Sequence, residues 1–209
     1  WLSAPQERAV REALPQGIRY VEDLWPGRLA LAGSHQRENA ALAAVAARRM
    51  GARAEAIARG FAKVSWPGRM ERIGPFLLDC AHNPQAAGAL ATALDASAIV
   101  VFGCLSDKDA VGLVGALEKR AHAWILVRPR SDRARDPASL LPLAPAARVA
   151  SSLRDALATA ERVREGRLVL VVGSTYLVGE ARELLLGEAS DPLPLGDPGP
   201  ALDVACRPA

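Results

Sequence analysis

The stretch FLLDCAHNP, at residues 76–84, decides the fold. Its apolar run lacks the alternation of a half-exposed strand, so it predicts a strand that is buried on both faces. Asp79 and His82 follow where that strand ends, and PQAAGALATAL at residues 84–94 predicts a helix directly afterwards. A buried strand that leads into a helix is the unit from which parallel α/β sheets are built.

The same unit recurs along the rest of the chain. The strand patterns AIVVFG, AWILVRP and RLVLVVG alternate with the helix patterns DAVGLVGALEKR, LRDALATAERVR and YLVGEARELLL. Continuous apolar strands that alternate with helices indicate an α/β domain. We therefore predict a Rossmann-like, mostly parallel sheet with helices on both faces.

The part of the chain before residue 67 has a different pattern. A short strand is predicted at residues 28–32, and the Ala-rich runs RENAALAAVAARRM and AEAIARGFAKV predict helices. Residues 66–69, WPGR, are typical of a joint, because Pro67 fixes φ and Gly68 is permissive. We divide the chain into a helical part at 1–66, an α/β domain at 67–188 and a flexible, Pro- and Gly-rich tail at 189–209.

The positive charge of the chain does not indicate a nucleic-acid-binding protein. The formal net charge is +3, and only three of the 26 basic residues are lysines. The arginines are mixed with acidic residues along helical patterns, which is typical of solvated helix faces. The local cluster Arg128, Arg130, Arg133 and Arg135 is suited to an anion, but no nucleic-acid motif or aromatic platform accompanies it.

Composition also bears on the compartment of the protein. No apolar run of about 18 residues is present, so the sequence predicts no membrane span. The amino terminus lacks the pattern of a signal peptide, and the three cysteines have no metal-type spacing. We therefore expect a cytoplasmic protein without a metal site in these residues. Because the chain does not begin with Met, we expect it to be part of a longer protein.

Polar side chains follow several of the predicted strands. Ligands of an open parallel sheet collect beyond the carboxyl ends of its strands, so distant residues can meet at that edge. Each group also has a purely structural interpretation, as a helix cap, a tight turn or a buried histidine. GSTYLVG lacks the Gly-Lys-Ser/Thr ending of a phosphate loop. The strand-end residues in question are Asp79 and His82, Ser106 to Asp109, and Gly173 to Tyr176.

Together these motifs resemble the folylpolyglutamate synthase/dihydrofolate synthase family of the Mur ligase superfamily. The family has a Pro-Gly-Arg-x-Glu hinge, a strand and then Asp-Gly-Ala-His-Asn-Pro, and this chain has PGRME at 67–71 and DCAHNP at 79–84. GCLSDKD, RPRSDRA and VVGSTYLVGEARELL resemble the later strand ends in the correct order. LALAGSHQRENAALA, at 29–43, resembles the end of the central ATPase domain of the family. Cys80 replaces the usual Gly.

The resemblance implies a ligase that joins an amino acid to a carboxylate. ATP would phosphorylate a folate- or dihydropteroate-borne carboxylate, and the amine of L-glutamate would displace phosphate from the acyl phosphate. Closure of the domains would keep the acyl phosphate from water. The phosphate loop and the Mg²⁺ ligands of the family would lie before Trp1, so we expect this chain alone to be inactive. The resemblance also implies a monomer.

The resemblance assigns roles to five residues. Asn39 and Arg69 would contact ATP, with Arg69 reaching a phosphate. Asp79 would accept hydrogen bonds from the nucleotide ribose or orient His82. His82 and Ser174 would position the incoming glutamate. The structural alternatives are a salt bridge between Arg69 and Glu71 and a helix cap at Asn39. Cys80 is not assigned as a nucleophile, because an acyl-phosphate mechanism does not need one.

Two other functions stay open at the level of the sequence. One is a different Mur-type ligase that adds an amino acid to a cell-wall precursor, although the Asp-Asn-Pro-Arg-type segment of those enzymes is not found here. The other is a stand-alone module that binds a nucleotide or a partner without catalysis.

Overall fold

The structure is a computed structural model, and it describes Leu2–Ser3, Tyr20–Val21 and residues 23–187. The predicted tail at 189–209 lies outside the described residues. In the amino-terminal part, strand β1 (Leu2–Ser3) pairs in parallel with strand β2 (Tyr20–Val21). Helix α1 (His35–Arg49) and helix α2 (Ala54–Lys63) follow, so the helical character predicted for this part is confirmed for these two segments.

The amino-terminal part has a small core of its own around Trp25. The Trp25 ring meets Phe61 edge-on, with 4.9 Å between ring centroids. Ala40 and Ala44 are buried on α1, and their small side chains allow close packing beside Ile57 on α2. This cluster is separate from the two clusters that fill the sheet domain.

The strand predicted at residues 28–32 is wrong. This segment is irregular, and the Ala30 N–H donates to the carbonyl of Phe61 at 2.9 Å instead of joining a strand ladder. The Arg37 guanidinium also donates to the carbonyls of Trp25 and Gly27, at 2.7 and 3.1 Å. The backbone at Ala30 is therefore bonded to α2, and the residues just before the segment are bonded to Arg37 on α1.

The rest of the described chain is built on a mixed sheet of six strands. Its spatial order is β3-β4-β8-β5-β6-β7. Strand β3 is antiparallel to β4, and every other neighbouring pair is parallel. The strands are β3 (Glu71–Ile73), β4 (Phe76–Asp79), β5 (Ala98–Phe102), β6 (Ala121–Leu126), β7 (Arg148–Val149) and β8 (Leu168–Val172).

Four helices cover the two faces of the sheet. Helices α3 (Pro84–Ala93) and α4 (Ala110–Leu117) pack on one face, and α5 (Leu153–Val163) and α6 (Thr175–Leu186) pack on the other. Successive strand residues point to opposite faces, so Leu77 joins the first layer and Leu78 the second. The predicted α/β fold with helices on both faces is confirmed. None of the helices in the described ranges combines the length and the apolar character needed to span a bilayer.

The order of the strands places a crevice at their carboxyl edge. The chain leaves β4, passes over one strand position to form β5, and later returns to fill that position with β8. Asp79 pairs with Val172, and Phe102 also pairs with Val172, so three strands end at one level. Ligands of open α/β sheets bind at such a reversal of strand order.

Candidate functional site

Two glycines allow the three central strands to end close together. Gly173 has φ +113, and a Cβ there would lie 2.7 Å from the carbonyl oxygen of Gly103. A Cβ on Gly103 would collide with the carbonyl oxygen of Val127. The Gly173 N–H donates to the carbonyl of Ala81 at 3.1 Å, which joins the end of β8 to the loop after β4. The backbone at this edge therefore has no room for side chains at either glycine.

Asp79 connects the turn before β3 to the loop after β4. Its Oδ2 accepts from the N–H of Met70 at 2.9 Å, and its Oδ1 accepts from the N–H of Ala81 at 2.9 Å. Met70 follows Arg69 and Ala81 precedes His82, so one carboxylate fixes the backbone beside both predicted site residues. Asp79 is buried, with 9% of its surface exposed.

The pKa of Asp79 lies above its ordinary value because burial disfavours the charged carboxylate. The two backbone hydrogen bonds act in the opposite direction, and so do the nearby charges of Arg69 and His35. Arg69 and His35 therefore lie close enough to Asp79 to affect its pKa.

The ring of His82 is exposed and held in one orientation by the backbone. Its Nδ1 lies 3.0 Å from the carbonyl oxygen of Cys80. A carbonyl oxygen can only accept, so Nδ1 carries the proton of this hydrogen bond. In the neutral ring, Nε2 then presents a lone pair that can accept a proton.

Ser174 is both a helix cap and a polar group at the carboxyl edge. Its hydroxyl oxygen accepts from the N–H of Tyr176 at 3.1 Å, at the start of α6. The predicted structural role as a cap is therefore real. Because the hydroxyl oxygen accepts this bond, its O–H remains able to donate to a ligand. Ser174 has only 2% of its surface exposed.

His82 and Ser174 line one cavity of about 140 Å³ at the carboxyl edge of the sheet. Lys108 from the loop after β5 and Arg133 from the loop after β6 line the same cavity. The cavity thus combines an imidazole, a hydroxyl and two cationic side chains. The remaining lining residues are Leu105, Gly173 and Thr175.

The two cations of the cavity are held by an acidic partner. Asp107 Oδ2 lies 3.3 Å from Lys108 Nζ and 3.1 Å from a terminal nitrogen of Arg133. Desolvation is the largest single influence and raises the pKa of Asp107, but the hydrogen bond from Lys108, a backbone hydrogen bond and the charges of Lys108 and Arg133 together outweigh it and lower that pKa. Lys108 and Arg133 therefore line this cavity while sharing one carboxylate partner.

Arg135 secures the loop that carries Lys108. Its guanidinium donates to the carbonyl of Ser106 at 2.7 Å and to that of Lys108 at 3.1 Å. Our assignment of site residues from the sequence omitted Lys108 and Arg133. Lys108 follows a predicted strand and Arg133 belongs to the arginine cluster, so position in the sequence did signal both.

Arg69 lies on an exposed turn, and Glu71 is not its ion-pair partner. The Glu71 carboxylate instead accepts from Arg182 Nε at 2.8 Å and from the Gly68 N–H at 2.7 Å. The predicted alternative, a salt bridge between Arg69 and Glu71, is therefore replaced by a bond to α6. Arg69 remains at the surface beside Asp79.

Asn39 lies on α1 and is not among the residues that line the cavity of His82 and Ser174. The helix begins at His35, so Asn39 is not its cap. Its amide donates to Gln36 Oε1 at 3.1 Å, and Gln36 Nε2 lies 2.9 Å from His35 Nε2. Asn39 is exposed, so its amide is accessible to a ligand.

Neither cysteine near the site has the properties of a nucleophile. Burial, followed by the negative charges of Asp79 and Glu71, raises the pKa of Cys80 to about 11. Burial also raises the pKa of Cys104. Both thiols are therefore protonated near neutral pH. Within residues 23–187 and the two short strands, no group of three or more His, Cys, Asp or Glu side chains is arranged to hold a metal ion.

A second and larger cavity, of about 790 Å³, is lined mostly by residues at the opposite edge of the sheet, and also by Met70 beside Arg69. It opens beside the loops that precede β5 and β8, and its lining includes Leu77, Leu94 and Leu168. We place the site in the smaller cavity, because ligands bind at the carboxyl ends of parallel strands and the polar groups converge there.

The chain matches the family described as "Mur ligase, glutamate ligase domain" over residues 68–175. It is 39% identical over 166 residues to a probable bifunctional folylpolyglutamate synthase/dihydropteroate synthase of Halobacterium salinarum, covering 73% of this chain and 20% of that protein. It is 30% identical over 205 residues to the dihydrofolate synthase/folylpolyglutamate synthase of Bacillus subtilis, covering 83% of this chain and 46% of that protein. The resemblance inferred from the motifs is confirmed.

Solved structures agree with the fold. Mycobacterium tuberculosis folylpolyglutamate synthase complexed with ADP superposes with a TM-score of 0.69 and 34% identity, over 78% of this chain and 42% of that one. The bifunctional folylpolyglutamate synthase/dihydrofolate synthase of Yersinia pestis, complexed with AMPPNP and a Mn ion, gives a TM-score of 0.66 and 27% identity, over 76% of this chain and 40% of that one. These structural relatives bind nucleotides, and the second also holds a divalent metal.

A cell-wall enzyme is also similar to this chain. The UDP-N-acetylmuramoyl-L-alanyl-D-glutamate–2,6-diaminopimelate ligase of Corynebacterium glutamicum is 40% identical over 123 residues, which cover 54% of this chain and 24% of that protein. The chain spans less than half the length of each relative named here.

Proposed function

This chain belongs to the Mur ligase family, and we propose that it forms the glutamate-binding part of an ATP-dependent ligase of the folate type. The ligase adds L-glutamate to folate or dihydropteroate through an acyl phosphate. The proposal also holds that the ligase as a whole is a monomeric, cytoplasmic enzyme. The observation that carries the proposal is the cavity in which His82 and Ser174 lie with Lys108 and Arg133.

The cavity suits an amino acid that carries two carboxylates. Lys108 and Arg133 supply positive charge for those carboxylates, and the Arg133 guanidinium can bind one of them with two parallel hydrogen bonds. The Asp107 carboxylate that pairs with both cations is an internal equivalent of such a ligand group. Asp107 does not itself line the cavity, but its ion pairs bring one carboxylate oxygen within 3.3 Å of both cations at once.

His82 and Ser174 would orient the amine of glutamate. An amine attacks only after its ammonium form loses a proton, and the Nε2 lone pair of His82 is available to accept it. The Ser174 hydroxyl, already fixed by its bond to the Tyr176 N–H, would donate to a glutamate oxygen. Both side chains are held by backbone hydrogen bonds, so little motion is needed to position the substrate.

The nucleotide would bind on the side of Arg69. An exposed guanidinium beside the edge of the sheet is suited to a phosphate, where it stabilises the charge that develops during phosphoryl transfer. Asn39 would contact the base or the ribose, and Asp79 would accept from the ribose or act through the backbone beside His82. The described residues lack a metal-ligand cluster, so they offer no fit for Mg²⁺ and no step is assigned to a metal bound by them.

The reaction consists of a phosphoryl transfer followed by an acyl transfer. The γ-phosphoryl group of ATP passes to an oxygen of the acceptor carboxylate, and ADP leaves. The glutamate nitrogen then forms a bond to the acyl carbon, the bond from that carbon to the phosphate oxygen breaks, and inorganic phosphate leaves. The glutamate nitrogen loses two protons in this scheme: His82 takes the one lost from the ammonium form before attack, and the departing phosphate takes the one lost after the bond to carbon has formed.

A cell-wall ligase is the second candidate. The similarity to the Corynebacterium glutamicum enzyme over 54% of this chain favours it. Diaminopimelate carries an ammonium group beside the carboxylate at its far end, and Lys108 and Arg133 would repel that ammonium, which the side chain of glutamate lacks. We therefore rank it below the folate-type ligase.

A turnover assay and a binding assay together test the proposal. The purified chain is mixed with ATP, Mg²⁺, L-glutamate and either dihydropteroate or tetrahydrofolate, and we expect no phosphate release because these 209 residues contain no Gly-Lys-Ser/Thr phosphate loop. Steady phosphate release would prove that expectation wrong. In NMR titrations with Mg²⁺-ATP, we expect shifts of the amide signals of Asn39, Arg69 and Met70. A spectrum that ATP leaves unchanged would contradict the nucleotide assignment.

A further inference from the structure

The Glu71 carboxylate joins the turn at Gly68 to helix α6 through a single atom. Its Oε2 accepts from the Gly68 N–H at 2.7 Å and from Arg182 Nε at 2.8 Å. Both side chains of this pair are mostly shielded, with 22% of the Glu71 and 24% of the Arg182 side chain exposed. The contact therefore ties residues that are distant in the sequence directly to the backbone beside Arg69.

The turn that carries Arg69 has a backbone that needs support. Gly68 has φ 71 and Met70 has φ 47, so the residues on both sides of Arg69 lie in the left-handed region. That region is unfavourable for Met70, because it carries a Cβ. Such conformations persist when surrounding contacts fix them.

Four hydrogen bonds fix this turn. The Gly68 N–H donates to Glu71, and the Gly68 carbonyl accepts from the Cys80 N–H at 2.8 Å. The Arg69 N–H donates to the carbonyl of Trp66 at 3.2 Å, and the Met70 N–H donates to Asp79. Among these bonding partners, Glu71 is held by a residue from another element, Arg182 on α6.

Helix α6 connects this anchor to the cavity. Its cap is Ser174, which lines the cavity, and Arg182 lies two turns further along. Val178 lies between them and packs against the turn. A Cβ on Gly68 would lie only 2.7 Å from Val178 Cγ1. One helix thus sets the position of a cavity residue and of the turn at Arg69.

We propose that Glu71 and Arg182 are positioning residues for Arg69. They hold the turn so that the exposed guanidinium starts from a fixed backbone, which lowers the conformational freedom lost when it binds a phosphate. Arg182 also neutralises Glu71, which would otherwise attract Arg69 away from its ligand. This inference rests on the proposed function, because it takes Arg69 as the phosphate-binding residue.

Amide exchange in the 209-residue chain tests the anchoring. Because both donors meet one oxygen, Glu71→Gln retains an acceptor for them, whereas Glu71→Ala does not. We expect exchange of the Gly68 amide to rise about tenfold in Glu71→Ala and in Arg182→Met, and to stay within about twofold of wild type in Glu71→Gln. The matched control is Arg130→Met, which removes a different arginine that pairs with Glu180 and Glu183 of the same helix. Unchanged Gly68 exchange in both Glu71→Ala and Arg182→Met would overturn the inference.

Phosphate binding tests the positioning. The probe is inorganic tripolyphosphate, and the readout is the ¹⁵N signal of Arg69 Nε. We expect Glu71→Ala and Arg182→Met to bind it about fivefold more weakly than wild type, and Glu71→Gln and Arg130→Met to bind it as wild type does. We also expect Arg182→Met to cause no further loss in an Arg69→Ala background, measured from the backbone amides of the turn, because Arg182 acts through Arg69.

The outcomes separate the two claims. If wild type binds tripolyphosphate at Arg69 but Glu71→Ala and Arg182→Met bind it equally well, the positioning role is wrong and the proposed function stands. If tripolyphosphate does not shift the Arg69 signal even in wild type, the phosphate role of Arg69 is wrong and this inference is wrong with it.

Discussion

His82 and Ser174 line one cavity although different strands deliver them. His82 follows β4 and Ser174 follows β8, and these strands lie side by side with Asp79 paired to Val172. The Gly173 N–H bonds to the carbonyl of Ala81, which directly precedes His82. A single small ligand can therefore contact the imidazole and the hydroxyl at once.

Replacing Ser174 by Ala removes a cap and a cavity hydroxyl together. We expect Ser174→Ala to lower the free energy of unfolding by about 1 kcal/mol, the usual cost of a lost helix cap. The matched control is Ser152→Ala, since Ser152 caps α5 by accepting from the Asp155 N–H at 3.2 Å and is not a cavity residue. Urea denaturation should give similar losses for both variants, and L-glutamate binding should weaken only in Ser174→Ala. Equal binding by the two variants would mean that Ser174 is only a cap.

The surroundings of Gly68 leave no space for a methyl group. The residue has φ +71, and a Cβ would lie 2.7 Å from Val178 Cγ1 and 2.8 Å from Cys80 Sγ. We expect Gly68→Ala to lower the free energy of unfolding by at least about 2 kcal/mol. Gly179→Ala on α6 is the control, because nothing lies within 4 Å of a Cβ there. That helix substitution should raise stability by up to about 1 kcal/mol, and a Gly68→Ala chain as stable as wild type would refute the geometry of the turn.

The pKa of Asp79 should lie above the ordinary value of 3.8, and the pKa of Asp107 should lie below it. The folded chain binds a proton at Asp79 more tightly than the unfolded chain does, so this group lowers the free energy of unfolding as pH rises from 3.8 through its folded pKa. Asp107 has the opposite sign: its stabilising contribution is present above 3.8 and is lost as pH falls through its depressed pKa. ¹³C NMR of the carboxyl carbons checks both, and a midpoint for Asp79 at or below that of Asp107 would contradict this account.

The layered fold was predictable because its strong signals are local. Continuous apolar runs identified β4, β5 and β8, since a strand buried on both faces needs no polar alternation. Strands β3 and β7, of three and two residues, are too short for a periodic pattern to appear. The segment at 28–32 is apolar enough for a strand, but whether a partner strand lies beside it depends on the tertiary structure.

The candidate site was predictable only in part. Asp79 ends a strand, and His82 and Ser174 follow strands. Parallel strands bring their carboxyl ends to one edge wherever they lie in the sequence. Lys108 and Arg133 meet because two loops pair through an isolated bridge between Leu105 and Ala134. No periodic pattern in the sequence predicts pairing of that kind. None predicts the bond between Glu71 and Arg182 either.

The most direct test of the central claim is an NMR titration of the ¹⁵N-labelled chain with L-glutamate and, separately, with meso-diaminopimelate. We predict saturable shifts of the amide signals of Lys108, Gly173 and Ser174 with L-glutamate, weakened in Lys108→Met but not in the exposed-site control Lys119→Met. Diaminopimelate should leave those signals in place. Binding of diaminopimelate in preference to L-glutamate, or shifts that Lys108→Met leaves unchanged, would contradict the assignment of this cavity to glutamate.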